Sequence, residues 1–258
     1  MKLLYYLAAI GKSNYVKKQE IFFENIRLIS KQLKSPVDVV INMYTDDENF
    51  IQNVHNCSFI DKFYIHKRKG VLVEMWKTNP HNRVINNSYD YVLFILDDVS
   101  ITQFDIYDLI RTKERFNVDI ISPCIKNATH KWLMERFATN NSIRITNAVE
   151  IYCVIMKPET FVKYIDSHDI KNTWMWGHDF LLGFFGFTCA IYSDCKCLHY
   201  FSQSNKDFDT AAREQMKVFI QKHGFTSLKE IQRMYKPIKE VVVLKPLSSI
   251  TRIDGFRA

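Results

Sequence analysis

Apolar runs alternate with helix-length amphipathic segments through the first half of the chain. This is the texture of strand and helix units stacking a mostly parallel sheet. Residues 3–10, LLYYLAAI, predict a first buried strand. After a polar break at residues 11–14, residues 17–33 place Phe22, Ile26, Ile29 and Leu33 on one stripe, as a sheet-covering helix requires. Strands follow at 37–44 and 59–65, a short helix at 71–77, and at 91–96 the sequence YVLFIL predicts a central strand buried on both faces. A helix is expected over 104–116 and a strand over 119–125.

The second half has a different texture. Residues 149–156, VEIYCVIM, read as one strand, Pro158 opens a helix at its first turn, and residues 174–185 are rich in aromatic side chains. Two amphipathic helices, at 210–222 and 228–235, close the chain, the second begun by a capping-box pair of Ser227 and Glu230. No linker rich in Pro, Gly or Ser divides the halves, so a single α/β domain is expected over residues 1–204, with 205–258 as a C-terminal helical extension.

Composition narrows the class. With 47% hydrophobic, 14% aromatic and 24% charged residues among 258, the chain lies within the ordinary globular range and outside the disordered and fibrous ones. A net charge of +7 favours an anionic partner: nucleic acid, an acidic membrane or a phosphorylated small molecule. Part of that excess is local, in the run His66, Lys67, Arg68 and Lys69 before Gly70. Six cysteines are too few to staple a chain of this length and point to reduced thiols. Cys195, Cys197 and His199 alternate as C-x-C-x-H, but no second ligand pair nearby supports zinc. The opening MKLLYYLAAI fits a buried strand better than a signal peptide, and no run approaches the roughly 18 apolar residues of a membrane span. A cytoplasmic protein is expected, with peripheral membrane contact left open.

The sharpest chemical feature is Asp97-Asp98 at the carboxyl end of the most apolar strand, where ligands bind in open α/β sheets. Adjacent carboxylates repel unless a cation or solvent satisfies them. Mg²⁺ or Mn²⁺ bound there would absorb the charge of a diphosphate leaving group; a structural capping role is the competing explanation. In Trp174-Met175-Trp176-Gly177-His178-Asp179-Phe180, rings that could stack on a sugar surround a carboxylate that could take its hydroxyl hydrogen bonds. Aromatic residues at such spacing also serve as core. His199 lies about twenty residues further on, and neutral imidazole is a good Mn²⁺ ligand.

The order of these pieces resembles the GT-A glycosyltransferases, whose Rossmann-like mixed sheet is flanked by helices. Residues 91–200 are similar, more narrowly, to an uncharacterised glycosyltransferase family with Trp-Gly-x-Asp-Phe after its acidic motif, and to small transferases of large DNA viruses. The resemblance implies that Asp98 binds the metal bridging the donor diphosphate, with His199 as a further ligand. Asp97 takes the middle position of the Asp-x-Asp motif, and Leu96 departs from the first. Ala9, Ile10 and Gly11 would lie against the nucleotide, helped by Asp46, with Lys69 facing phosphates. Asp179 matches the general base of inverting members, beside an acceptor site of Trp174, Trp176, Gly177 and His178. The implied partners are a UDP- or GDP-linked sugar donor and a glycan acceptor, without nucleic acid. If Asp179 only orients the acceptor, inversion and retention both stay open.

Two rivals stand beside this expectation. A sugar-phosphate nucleotidyltransferase would carry a glycine-rich basic loop after strand one, of which Gly11 and Lys12 are a poor version. A basic binding module for nucleic acid or membrane would interleave its aromatic residues with Lys and Arg, whereas here they surround an acid.

Overall fold

The structure, a computed structural model, describes residues 1–85, 88–135, 137, 141–200, 206–234 and 239–243. Its strands are β1 (Leu3–Ile10), β2 (Val37–Met43), β3 (Ile60–Lys67), β4 (Tyr91–Ile95), β5 (Val99–Gln103), β6 (Ile120–Lys126), β7 (Ser142–Thr146), β8 (Cys153–Met156), β9 (Cys189–His199) and β10 (Lys239–Val242). Its helices are α1 (Tyr15–Leu33), α2 (Glu48–His55), α3 (Leu72–Thr78), α4 (Asn82–Ile85), α5 (Ile106–Arg115), α6 (Lys131–Met134), α7 (Pro158–Ser167), α8 (Lys206–Lys222) and α9 (Leu228–Met234).

The strands form one sheet in the order β10-β7-β9-β6-β8-β4-β1-β2-β3, with β5 pairing β9 off that path. Neighbours from β3 to β4 are parallel, whereas β8 runs antiparallel to both β4 and β6. Helices flank this mixed sheet, as expected from the alternation of patterns. Every residue of β1 and β2 is buried, which accounts for their near-continuous hydrophobicity. The core runs unbroken from this parallel half through β8, β6 and β9.

Polar side chains of α1 locate the chain that leaves β4. Asn25, fully enclosed, donates to the Val99 carbonyl at 2.8 Å and accepts from the Ile101 amide at 2.9 Å. Gln32 accepts from the Ile106 amide at 2.8 Å and donates to the Phe104 carbonyl at 2.5 Å. β5 uses its other edge to pair with β9. The segment after Asp98 is thereby held from both sides.

The strand expected over 149–156 is shorter than patterning suggested. It begins at Cys153, and the preceding residues enter it through a turn at Ile151 and Tyr152. Val149 and Ile151 are buried nonetheless, so their alternation with Glu150 imitates a strand. Patterning also did not predict β5, β7, β10 or α2. The expected capping box of α9 is half formed: the Glu230 amide donates to Ser227 Oγ at 3.3 Å, while the Glu230 carboxylate turns to the Thr226 amide at 2.7 Å. Residue 235, the expected end of that helix, lies outside the described residues.

Candidate functional site

The acidic pair sits where β4 ends, and its two members have different surroundings. Asp97 Oδ2 accepts from the Gly11 amide at 2.8 Å and lies 2.9 Å from Lys18 Nζ of α1. Burial pushes the Asp97 carboxyl up, against the pull of Lys18. Asp98 turns to β9, where its Oδ2 accepts from His199 Nε2 at 3.2 Å. Its Oδ1 is buried and has no hydrogen-bond partner among the described residues. The neighbouring backbone is fixed, with Tyr200 N–H donating to the Asp98 carbonyl at 3.0 Å.

His199 faces acceptors at both ring nitrogens: Asp98 through Nε2 and the Asn127 carbonyl through Nδ1 at 3.3 Å. Burial lowers its pKa, but the Asp98 hydrogen bond and charge outweigh this, so the ring titrates above its usual value. A carboxylate and an imidazole sharing a proton, with one carboxylate oxygen unsatisfied, fit the donor set of a divalent cation, whose binding displaces such a proton. Among the described residues, no group of three or more His, Cys, Asp or Glu side chains converges as a ready-made metal cage. Cys195 and Cys197 are buried in the core and do not join His199 in a zinc site.

A cavity of about 370 Å³ opens beside this pair. Leu96 and Tyr152 link the two: both line the cavity, and the Leu96 amide donates to the Tyr152 carbonyl at 2.9 Å. The Tyr152 ring stacks on His199 with centroids 4.6 Å apart. Its hydroxyl lies 2.8 Å from Thr129 Oγ1 and 3.4 Å from Glu150 Oε1.

Two carboxylates face the cavity. Glu150 accepts from the His130 amide at 3.0 Å and from His130 Nδ1–H at 2.8 Å. Asp179 accepts from the Ile151 amide at 3.2 Å, and burial together with the Glu150 charge pushes its carboxyl up to about 7. Trp174, Met175, Trp176 and Gly177 also line the space. Met175 adopts a left-handed φ of 58°, uncommon for a long side chain, which bends this segment around the cavity. Gly177, at φ 84°, is required by its neighbours as well: a Cβ there would stand 2.9 Å from Met216 Cγ of α8.

The expected residues thus fall into groups. Trp174, Trp176, Gly177 and Asp179 line the cavity, whereas Asp98 and His199 meet each other outside its lining, behind the Tyr152 ring. His178 does not line the cavity. It is fully buried, stacks on His168 with ring centroids 3.8 Å apart and lies 2.9 Å from Ser167 Oγ, so an acceptor contact is sterically closed to it. Ala9 and Ile10 are buried at the end of β1, where Trp76 Nε1 donates to the Ala8 carbonyl at 2.6 Å, and Gly11 is tied to Asp97. Asp46 is exposed and ion-paired to Lys67, while Lys69 is exposed. Arg68 is engaged by Glu74 at 3.1 Å, so the basic run is partly neutralised by its own neighbourhood.

Sequence reasoning missed Lys18, His130 and the cavity role of Glu150, which are joined to their partners across 20 to 79 residues of chain. It also left Arg213 without a role. From α8, Arg213 lines the cavity with its guanidinium 5.7 Å from the Trp176 ring centroid, while Met216 and Leu228 complete that wall.

No family model and no curated protein matches the sequence. Solved structures do share its fold. The crystal structure of GalNAc-T7 with UDP, GalNAc and Mn²⁺ is similar at TM-score 0.51 and 7% identity, over 79% of this chain and 44% of that one. S. aureus TarS 1–349 in complex with UDP-GlcNAc is similar at TM-score 0.52 and 11% identity, over 84% of this chain and 65% of that one. A197 from STIV matches over 78% of this chain and 87% of that one, at 13% identity and TM-score 0.44. The chain spans less than two thirds of GalNAc-T7 and of TarS. The fold is that of the GT-A glycosyltransferases.

Proposed function

We propose that the protein is a metal-dependent glycosyltransferase that moves a sugar from a UDP- or GDP-linked donor to a hydroxyl of a glycan acceptor, with inversion. One observation carries this reading. A carboxylate–imidazole pair, Asp98 and His199, with one oxygen unsatisfied among the described residues, stands at the end of β4 and connects through Leu96 and Tyr152 to an aromatic cavity containing Asp179. The fold supports it, since two solved structures that share it hold UDP or UDP-GlcNAc, one of them with Mn²⁺.

Asp98 and His199 would hold Mn²⁺ or Mg²⁺, which when bound supplies charge neutralisation for a departing diphosphate. The chain's own groups do the rest. Gly11, partly exposed at the end of β1, would lie against the nucleotide, while the Trp174 and Trp176 rings and the carboxylates orient the acceptor sugar. Asp179, with a carboxyl near 7, is matched to neutral pH as a general base: it takes the acceptor hydroxyl proton as that oxygen attacks the anomeric carbon. Residues 1–204 hold Asp98, His199 and Asp179, and residues within 205–258 wall the acceptor cavity. Six free cysteines suit a reducing compartment such as the cytoplasm.

Thermal shift with UDP, GDP and CMP, with and without Mn²⁺, tests the donor site, because a ligand that binds only the folded state raises its apparent stability. One nucleoside diphosphate should stabilise the wild type only with metal, and Asp98→Ala should abolish the effect. No shift with any nucleotide would count against the reading.

A further inference from the structure

The two aspartates of the acidic pair are not equivalent, and the difference assigns them separate tasks. Asp97 Oδ2 already accepts from the Gly11 amide and sits within ion-pair distance of Lys18. The Lys18 and Asp97 side chains are only 8% and 13% exposed, so the pair is largely closed to solvent. It joins three pieces of chain: the end of β1 at Gly11, the first turns of α1 at Lys18 and the end of β4. Asp98, one residue on, has a buried oxygen without a hydrogen-bond partner among the described residues.

We infer that Lys18 and the Gly11 amide withhold Asp97 from cation and donor, making it a latch that positions Gly11 against β4, and leave Asp98 as the carboxylate of the pair that is available to the ion. Lys18 and Asp97 are positioning residues on this account. The inference rests on the reading above that Asp98 and His199 hold a metal. Its physical ground is charge: the Lys18 ammonium already neutralises the Asp97 carboxylate, so a cation at either of its oxygens meets a like charge at short range, whereas binding at Asp98 displaces only the proton shared with His199. Asp97, expected from the sequence on the nucleotide-sugar side of the motif, becomes a strut beside the one ligand, Asp98.

The test is a Mn²⁺ titration of the full chain at neutral pH, followed by the electron paramagnetic resonance signal of the free ion, with circular dichroism confirming the fold of each variant. Asp98→Asn should weaken binding by about 10-fold or more, while Asp97→Asn should stay within about twofold of wild type, the scatter expected between independent sites. Should Asp97→Asn fail to fold, the double variant Lys18→Met/Asp97→Leu replaces the buried pair by apolar side chains of similar size, a swap often neutral or stabilising, and should also keep Mn²⁺. A folded Asp97 variant that loses Mn²⁺ as severely as Asp98→Asn overturns the latch while leaving the metal site intact. A wild type that takes up no Mn²⁺ overturns the metal reading itself, and the latch with it.

Discussion

Asn25 shows how one side chain can position a site that it never touches. Its amide closes two backbone groups of β5, at Val99 and Ile101, in the residues just past Asp98. Truncating it leaves a buried carbonyl and a buried amide unsatisfied. Asn25→Ala should therefore cost on the order of 2–3 kcal/mol in urea unfolding, more than a surface Asn→Ala change. Residues of this kind were hard to see in the sequence. Asp98 and Asp179 could be singled out because each stands in a short motif, but nothing near Lys18 announces Asp97, and nothing near Glu150 announces His130. His178 misled for the opposite reason. It stands inside the aromatic motif, yet the left-handed turn at Gly177 carries it into the core against His168.

The elements divide along a similar line. β1, α1, β2 and β4 were legible because burial on both faces, or along one stripe, writes a period into the sequence. β5, β7 and β10 were not, being four or five residues long and dependent on partners distant in sequence, β9 and β7 among them. The packing of α8 on the Trp174–Phe180 segment was equally hidden, and its closest approach needs a glycine at 177. Gly177→Ala would force φ 84° on an L residue and drive a Cβ to within 2.9 Å of Met216. The backbone penalty alone is about 1–2 kcal/mol. The variant should lose at least that in denaturant unfolding, with faster amide exchange along α8. Unchanged exchange in α8 would show that the helix does not depend on that close approach.

At the scale of the whole molecule, two sets of buried groups oppose each other as the pH changes. Burial lowers the His168 pKa to about 4 and takes His178 well below its ordinary value, so the unfolded chain binds protons that the folded chain refuses. The stability they contribute is complete above about 6.5 and is lost as the pH falls toward 4. Asp179 acts in the other direction. Its folded carboxyl holds a proton up to about 7, so its contribution is present at low pH and is lost as the pH rises through that value. In wild type the two trends partly cancel between pH 4 and 7. Asp179→Asn removes one of them, so its melting temperature should fall more steeply on acidification than that of wild type and should exceed it most at pH 8. Parallel profiles would mean that Asp179 is not held in its raised state by the fold.

The whole molecule also assembles what neither half of the sequence displays. The cavity takes Trp76 from the first half, Glu150 and Asp179 from the second, and Arg213 and Leu228 from the C-terminal helices. The most direct measurement is release of nucleoside diphosphate from a panel of UDP- and GDP-sugars with Mn²⁺, with mono- and disaccharides supplied as acceptors, for wild type and Asp179→Asn. Wild type should consume one donor, and Asp179→Asn should be slower by about 10²–10⁴-fold while still binding the nucleotide. Equal rates in the two proteins, or no donor consumed by a wild type that binds a nucleoside diphosphate, would contradict the assignment.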